Sequence, residues 1–334
     1  MEEGSKFRSI DQQTTFDVLN RTVIEQLVKI TVVGKMAQKK PDRRKDKKRK
    51  SFVEAANEPT TSPSASEIIS SRRRWYLIGV FVVIAFGGTF MAQYLNNQVP
   101  AEVERYTFEV VRTYPHDPTA FTQGLYLEDG VVWESTGKDG KSTIRKYDLA
   151  SGKMIKSVDL PSNEFGEGCA VVGDRIFQLT WKSGICHVYD RELNKIKDFK
   201  YRGQGWGLTY DGTDLIMSDG SSRLFFIDPE TFENKRVVTV QAGRKRISQL
   251  NELEYTGGRI YANKWNSDSV YQIDPKTGNV LGIINLGGLW PNNERPAEGI
   301  LNGIAVDSGR RQVIVTGKYC PQIYEIKLIR RDNR

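Results

Sequence analysis

The stretch EFGEGCAV, residues 164–171, places the carboxylate of Glu167 between two glycines and directly before an apolar run. A short apolar run of this kind is typical of a buried strand. An unpaired charge at the edge of a protein core costs several kcal/mol. The stretch therefore predicts a special environment for Glu167, and related stretches recur along the chain.

Five segments of similar pattern follow one another: TQGLYL, GEGCAV, GWGLTY, LNELEY and LNGIAV. At the position of Glu167 the other four have Gln123, Trp206, Asn251 and Asn302, and the successive intervals are 44, 39, 45 and 51 residues. Repeats of ~40–50 residues are typical of the four-stranded blades of a β-propeller. Alternating apolar and polar residues with Asp- and Gly-rich turns indicate further antiparallel strands after each segment.

The first four repeats each contain a fourth strand, near residues 154–160, 196–201, 236–241 and 280–286, whereas the chain ends after the third strand of the last. The segment TFEVVRT, residues 107–113, precedes the first repeat and can supply the missing strand. Closure of this kind leaves no sheet edge open. The sequence thus predicts an all-β fold, a five-bladed β-propeller of four-stranded blades, over residues 106–334.

The first strand of each propeller blade lines the central channel, so the five aligned residues are expected to form a ring around it. Glycine follows four of these five residues, which allows the backbones to approach the axis closely. A second aligned set lies at the ends of the second strands. The antiparallel direction argues against placing this set at the same mouth, although loop curvature could bring it there. Its members are Gly137, Trp181, Gly220, Trp265 and Lys318.

The two histidines give little material for metal or triad chemistry. His116 lies in a turn before Asp-Pro, where a structural role is expected, and His187 lies on a third strand. A zinc site or a Ser-His-Asp mechanism would need further suitable side chains beside these histidines. Gly-rich phosphate-binding motifs are absent from the sequence. The remaining chemistry is proton transfer by Glu167, with aromatic walls and amide groups to hold a small polar ligand.

Several motifs, among them PHDPTAFTQGL, FGEG, GWGL, LNELEY, LNGIA and TGK, occur in order between Phe108 and Leu328. In order and spacing they resemble the plant- and bacterial-type glutaminyl-peptide cyclotransferases, a family of five-bladed propellers. The resemblance implies an enzyme that converts the N-terminal glutamine of peptides or proteins into pyroglutamate with release of ammonia. It also implies that no metal and no other cofactor is needed.

The family's catalytic glutamate lies in its FGEG motif, which implies Glu167 here. Lys318 or an amide N–H of Asn251 is expected to donate to the developing oxyanion. The amides of Gln123 and Asn302 are expected to hold the γ-carboxamide, and tryptophans to exclude water. The predicted catalytic residues are Glu167, Lys318 and Asn251, and the predicted substrate-binding residues are Phe121, Gln123, Phe165, Trp206, Trp265 and Asn302.

A different class of function stays open at this point, because many propellers only bind a partner. The alternative is a non-catalytic propeller binding module anchored in a membrane, and a weaker one is a different propeller hydrolase. An interaction scaffold would not need a carboxylate between glycines at the position of Glu167.

Residues 75–95 form an uninterrupted run of 21 uncharged residues, about the ~20 that a helix needs to cross a bilayer. Three arginines, residues 72–74, precede the run. By the positive-inside rule, this pattern predicts a signal-anchor helix with residues 1–74 in the cytosol. The chain is then a single-pass type II membrane protein of the secretory pathway (ER or Golgi), with a linker over residues 96–105 and a lumenal catalytic domain.

The basic charge is concentrated at the N-terminus. Residues 1–74 contain 17 Lys and Arg against 10 Asp and Glu, and residues 75–334 contain 32 against 31. The tail is therefore expected to be largely disordered, and the nearly neutral remainder gives no reason to expect a nucleic-acid partner. The expected partners are peptides with N-terminal Gln and the membrane, and the catalytic domain is expected to be monomeric. Cys169, Cys186 and Cys320 form no CxxC motif, and in an oxidising lumen one pair could form a disulfide.

Overall fold

The computed structural model describes Gly87, residues 102–307, residue 309 and residues 312–331. The predicted tail, the predicted membrane helix except Gly87, and residues 96–101 of the predicted linker lie outside these residues. Within the described residues, no helix is both long enough and apolar enough to cross a membrane.

Strands account for most of the regular structure in this part of the chain, together with a short 3₁₀ helix at Asn292–Glu294. Tight turns connect them: Asp129 and Gly130 both have positive φ, as do Gly257 and Gly258, which is the backbone of a two-residue hairpin turn. The strands are β1 (Glu104–Pro115), β2 (Thr122–Glu128), β3 (Val131–Thr136), β4 (Thr143–Asp148), β5 (Met154–Asp159), β6 (Gly166–Val172), β7 (Arg175–Thr180), β8 (Ile185–Asp190), β9 (Lys195–Lys200), β10 (Leu208–Tyr210), β11 (Leu215–Ser218), β12 (Arg223–Ile227), β13 (Asn234–Thr239), β14 (Gln241–Ala242), β15 (Lys245–Arg246), β16 (Leu250–Thr256), β17 (Arg259–Lys264), β18 (Ser269–Ile273), β19 (Val280–Asn285), β20 (Leu301–Asp307), β21 (Gln312–Gly317) and β22 (Gln322–Arg331).

The strands form an all-β fold of several four-stranded sheets and one eight-stranded sheet. Strands β2–β5, β6–β9 and β10–β13 each form a four-stranded antiparallel sheet, here called units 1, 2 and 3. The eight-stranded sheet has the order β16-β17-β18-β19-β1-β22-β21-β20. Its first half, β16–β19, is unit 4, and its second half, β20–β22 with β1, is unit 5. The two edge strands, β16 and β20, contact each other, so this sheet is nearly closed.

Strand β1 completes unit 5. It pairs antiparallel with β22 from Arg105–Arg331 to Pro115–Gln322, and its first residues, Glu104 to Tyr106, run parallel to β19. The prediction that residues 107–113 supply the missing strand of the last unit is therefore confirmed. The short parallel ladder joins units 4 and 5 into one sheet.

The first strands of the five units contact one another in the cyclic order β2, β6, β10, β16, β20 and back to β2. Glycines allow this approach. A Cβ on Gly124, Gly168 or Gly207 would lie 2.4, 2.4 or 2.0 Å from a backbone atom of the next first strand. The expectation that these glycines let the backbones approach is confirmed.

Five apolar clusters form the core, and each lies between two neighbouring units of the ring. Full burial of a large apolar side chain stabilises a protein by about 1.5–3 kcal/mol, so the interfaces between units carry much of the stability. The cysteines belong to three different clusters: Cys169 lies between units 1 and 2, Cys186 between units 2 and 3, and Cys320 between units 4 and 5. All three are buried free thiols, so the disulfide considered from the sequence is not formed.

Candidate active site

Both aligned sets of residues lie at the same end of the sheets. In the hairpins of the first two strands, Thr122 pairs with Thr136 and Gly166 with Thr180. The beginning of each first strand therefore lies beside the end of the second strand. The argument that strand direction separates the two sets was wrong, because antiparallel neighbours bring the start of one strand to the end of the other.

Glu167 lies on β6, one residue after its start, and its side chain is buried, with 4% of the residue exposed. Its Oε2 atom has no hydrogen-bond partner within the described part of the chain. Burial raises the pKa of Glu167 well above the ordinary value for glutamate, and the nearby charge of Lys318 opposes this shift. The site thus contains a desolvated carboxyl group with an acceptor atom that the described protein groups leave free.

Lys318 follows β21 directly and is equally buried, at 4% exposure. Its backbone N–H donates to the carbonyl of Ile300 at 2.9 Å, and its ammonium lies 4.3 Å from the centre of the Phe121 ring. Burial lowers the pKa of Lys318 to about 8, whereas the charge of Glu167 raises it. Each group therefore stabilises the charged form of the other in a setting that disfavours both charges.

Aromatic rings continue from Lys318 along this end of the sheets. Phe121 packs edge-to-face against Phe165, with ring centres 5.9 Å apart, and against Tyr319, with centres 5.3 Å apart. Phe165 in turn packs against Trp181 at 5.6 Å. Gly137 makes room for this row, since a Cβ there would lie 2.2 Å from the Phe165 ring. Phe121 and Phe165 are brought together as predicted, whereas Trp181 and Tyr319 are additions from the structure.

The two predicted tryptophans differ in their surroundings. Trp206 is half-buried and its ring covers Gly220, where a Cβ would lie 2.6 Å from the indole. Trp265, directly after β17, is 43% exposed, and its backbone N–H donates to the carbonyl of Gln249 at 2.8 Å. Of the predicted substrate-binding residues, Trp265 is the one that faces solvent most.

Three amide side chains of the predicted ring are buried on the first strands. Asn302 donates through Nδ2 to the carbonyl of Thr122 at 2.9 Å and to Oε1 of Gln123 at 3.2 Å. The Oδ1 atoms of Asn302 and Asn251 are buried without a hydrogen-bond partner among the described residues. Buried polar atoms rarely lack a partner. These oxygens, together with Oε2 of Glu167, suit a ligand that carries several N–H donors.

Glu252 occupies the position at which the other four repeats have glycine. It is fully buried and accepts hydrogen bonds from the backbone N–H groups of Leu125 at 3.3 Å and Ile304 at 2.9 Å. Burial raises the pKa of Glu252 well above its ordinary value. The carboxyl group thus links the first strands of units 1, 4 and 5 beside Asn251. The glutamate at a position where the other repeats have glycine is the feature of the sequence that could have identified this residue.

A buried ionic network supports the segment that carries Phe121 and Gln123. His116 contacts Oε1 of Glu134 through Nε2 at 3.1 Å and the carbonyl of Cys320 through Nδ1 at 2.6 Å. Glu134 also accepts hydrogen bonds from Arg145 and from the Thr122 hydroxyl. Burial alone would lower the pKa of His116, but the Glu134 carboxylate raises it above its ordinary value. The structural role expected for His116 is confirmed, since the network links the segment before β2 to the segment after Lys318.

Comparisons with known proteins agree with this arrangement. The family model for glutamine cyclotransferases matches residues 81–328. A glutaminyl-peptide cyclotransferase of Arabidopsis thaliana is 36% identical over 308 residues, which cover 88% of this chain and 95% of that protein. The crystal structure of the Myxococcus xanthus glutaminyl cyclase has a TM-score of 0.66 and 36% identity, covering 69% of this chain and 100% of the other. The resemblance noted in the sequence is confirmed, and the chain belongs to the glutamine cyclotransferase family of enzymes.

Proposed function

We propose that this glutaminyl-peptide cyclotransferase uses Glu167 to move protons while an N-terminal glutamine cyclises. The α-amine of the substrate attacks the carbon of its own γ-carboxamide, a new C–N bond closes the five-membered ring, and the bond to the amide nitrogen breaks. Because both reacting groups belong to one residue, the protein needs mainly to fold the side chain back into contact.

Glu167 serves both proton steps in this proposal. A peptide N-terminal amine has a pKa of ~7.7–8.0, so most of it is protonated at neutral pH and cannot attack. The Glu167 carboxylate accepts a proton from the amine and returns one to the departing ammonia. The raised pKa of Glu167 supports this role, because a carboxylate with an ordinary pKa is a weaker base and accepts the proton of the amine less readily.

The other groups hold the substrate and stabilise charge. Lys318 donates to the oxyanion that develops on the former carboxamide oxygen. The Oδ1 atoms of Asn251 and Asn302, which have no partner in the described part of the chain, accept N–H groups of the substrate, and Gln123 orients Asn302 through the bond at 3.2 Å. The rings of Phe121, Phe165, Trp206 and Trp265 pack against the bound residue and exclude water.

The buried Oε2 atom of Glu167, which has no hydrogen-bond partner among the described residues, carries this proposal, and replacement of Glu167 tests it. Glu167→Gln keeps the size of the side chain and removes the proton transfer. We expect turnover of a Gln-led peptide, followed as loss of the mass of one ammonia, to fall by ~10²–10⁴-fold. Binding of the peptide, measured by calorimetry, is retained. The matched control is Glu233→Gln at an exposed turn, which keeps wild-type turnover.

The same experiment separates the enzyme from a binding module. A module that only binds a partner has no turnover in the wild-type protein and loses nothing when Glu167 is replaced. Wild-type turnover of a Gln-led peptide together with an unchanged rate in Glu167→Gln would overturn the proposed mechanism and leave the family activity intact.

We also propose that the five units are the blades of a five-bladed β-propeller, with the active site at one mouth of its channel. The cyclic contacts of the first strands and the pairing of β1 with β22 support this reading. The absence of an open edge strand at this junction of the described sheets favours a monomeric catalytic domain.

For the N-terminal region we propose a signal anchor over residues 75–95 that places the catalytic domain in the lumen of the secretory pathway. The support is the uncharged run and the preceding arginines. Protease treatment of intact microsomes tests this: we expect residues 106–334 to be protected and the tail to be cleaved. Cleavage of the catalytic domain in sealed vesicles would refute the orientation.

A further inference from the structure

Two indole rings at the mouth donate to the same oxygen atom. Trp181 Nε1–H donates to Oε1 of Gln204 at 2.8 Å, and Trp206 Nε1–H donates to the same Oε1 at 3.0 Å. Trp181 follows β7 of unit 2 and Trp206 precedes β10 of unit 3. One side-chain carbonyl therefore connects the aromatic walls of two neighbouring units.

The backbone around Gln204 is attached to unit 2 on both sides. Gly205 N–H donates to the carbonyl of Trp181 at 3.2 Å, and Tyr201 N–H donates to the carbonyl of Gly184 at 2.8 Å. The Tyr201 hydroxyl also donates to the carbonyl of Thr180. The connection between β9 and β10 thus holds the Gln204 side chain at the mouth, although Gln204 itself is exposed.

The chemistry of the contact sets what can replace it. An indole N–H is a donor only, so its partner must present an acceptor. One oxygen atom with two lone pairs accepts from both rings, and either an amide or a carboxylate supplies such an oxygen. Loss of the acceptor leaves each N–H to bond with water, and neither indole is then held at a fixed angle.

We propose that Gln204 is a positioning residue for the cyclisation, which fixes the orientation of Trp181 and Trp206 and thereby the shape of the substrate pocket. Trp181 packs against Phe165, which directly precedes the segment with Glu167, and Trp206 covers Gly220. Rotation of either ring changes the wall against which the N-terminal residue of the substrate packs. This inference rests on the proposed function, because it concerns the pocket of that reaction.

Kinetics of three variants in the full chain test the inference. Gln204→Leu removes the acceptor, Gln204→Glu keeps it, and Glu233→Leu is the control, because Glu233 is exposed in the connection between β12 and β13, at the end of the sheet opposite to the site. We expect Gln204→Leu to lower kcat/KM for a Gln-led peptide by about 10-fold or more, since small misplacements of a bound substrate cost up to ~10²-fold. The kcat/KM of Gln204→Glu and of the control should stay within about 2-fold of the wild-type value. A 2-fold change corresponds to about 0.4 kcal/mol of activation free energy.

Nuclear magnetic resonance of the indole N–H groups supplies a reading that does not depend on activity. The chain has six tryptophans, and we expect two of the ¹⁵N–¹H indole signals to move in Gln204→Leu toward the values of water-exposed indoles. The same two signals stay hydrogen-bonded in Gln204→Glu. If Gln204→Leu fails to fold, Gln204→Ser, which is shorter and polar, takes its place.

Two outcomes would overturn the inference: indole signals that do not respond to Gln204→Leu, or signals that respond while kcat/KM stays at the wild-type value. A wild-type protein without turnover of Gln-led peptides would refute the proposed function instead. Because the indole signals are measured without substrate, the two failures are distinguishable.

Discussion

At the scale of single residues, Glu167 and Lys318 form an electrostatic pair in a buried site. Burial favours the neutral form of each group, so the pKa of Glu167 is raised and the pKa of Lys318 is lowered to about 8. Their mutual attraction opposes both shifts. Lys318 therefore loses its proton at a pH closer to neutral than it would in solvent, and Glu167 keeps its proton to a higher pH than it would there.

The proposed role of Lys318 predicts the alkaline side of the pH profile. Only the ammonium form donates effectively to an oxyanion, so kcat should fall as the pH rises through about 8, the pKa of Lys318. Lys318→Arg keeps a cation that stays protonated and should move this fall to higher pH. Lys318→Met should lower kcat by ~10²–10³-fold. The measurement is kcat between pH 5 and pH 10 at a saturating peptide concentration, and an unshifted alkaline limb in Lys318→Arg contradicts the assignment.

Glu167 should also make the free energy of unfolding depend on pH. Its pKa is raised in the folded protein, so the folded state binds the proton more tightly than the unfolded chain. Stability is therefore lost as the pH rises from the ordinary glutamate pKa toward the folded value, by about 1.4 kcal/mol for each unit of difference.

Glu167→Gln removes this loss. The free energy of unfolding of the variant, relative to that of wild type, should therefore increase by at least about 1 kcal/mol when the pH is raised from 4 to 7.5. Urea unfolding at the two pH values measures the change, and the comparison cancels any constant effect of the amide. Glu233→Gln, at an exposed turn, should show no such gain. A constant difference between Glu167→Gln and wild type over this range would argue against the raised pKa.

The residues of the site could be predicted to different degrees. Glu167, Asn251 and Asn302 followed from the repeat, because aligned positions on repeated strands lie at equivalent places in the fold. Tyr319 and Gln204 could not be predicted this way. They lie in connections between strands, and these connections differ in length and conformation from one repeat to the next.

At the scale of strands, the close approach of β2, β6 and β10 to their neighbours depends on glycine. Gly207→Ala would bring a Cβ to within 2.0 Å of the carbonyl oxygen of Asn251, so β10 or β16 must move. We expect a loss of about 3 kcal/mol in the free energy of unfolding, at the upper end for overpacking, and a lower turnover because Asn251 moves.

Gly243→Ala is the matched control. Gly243 has positive φ in the turn between β14 and β15, with open space around it, so alanine there costs roughly 1–2 kcal/mol from backbone conformation alone. Turnover in this variant stays at the wild-type level. Equal turnover in both variants would show that the spacing of the first strands does not control the site.

The fourth strands were predicted within one or two residues of β5, β9, β13 and β19 because alternation of apolar and polar residues survives on half-buried strands. The hairpin of β14 and β15 was not predicted. Its sequence, QAGRKR over residues 241–246, has no apolar periodicity. Strand direction also gave a wrong reason to doubt that the second set of residues lies at the same end of the sheets as the first, which was an error of geometry and not of pattern.

At the scale of the whole molecule, β1 supplies the fourth strand of unit 5, beside β22. It pairs with β22 along almost its full length. Tyr114 of β1 belongs to the cluster between units 5 and 1, and Tyr106 and Phe108 pack on the cluster between units 4 and 5. The strand thus supports two of the five interfaces in the ring, one on each side of unit 5.

Removal of β1 should therefore be far more damaging than removal of all the residues before it. A fragment that begins at Glu102 keeps β1 and should unfold cooperatively as a monomer. A fragment that begins at His116 exposes the edge of β22, which can then pair with a strand of another molecule. It also loses the side chains with which β1 packs in the two interfaces of unit 5. We expect it to lose most of the ~5–15 kcal/mol by which a domain is stable and to aggregate. Calorimetry with size-exclusion chromatography measures this, and a monomeric His116 fragment with the melting temperature of the longer one would mean that the ring is stable without its closing strand.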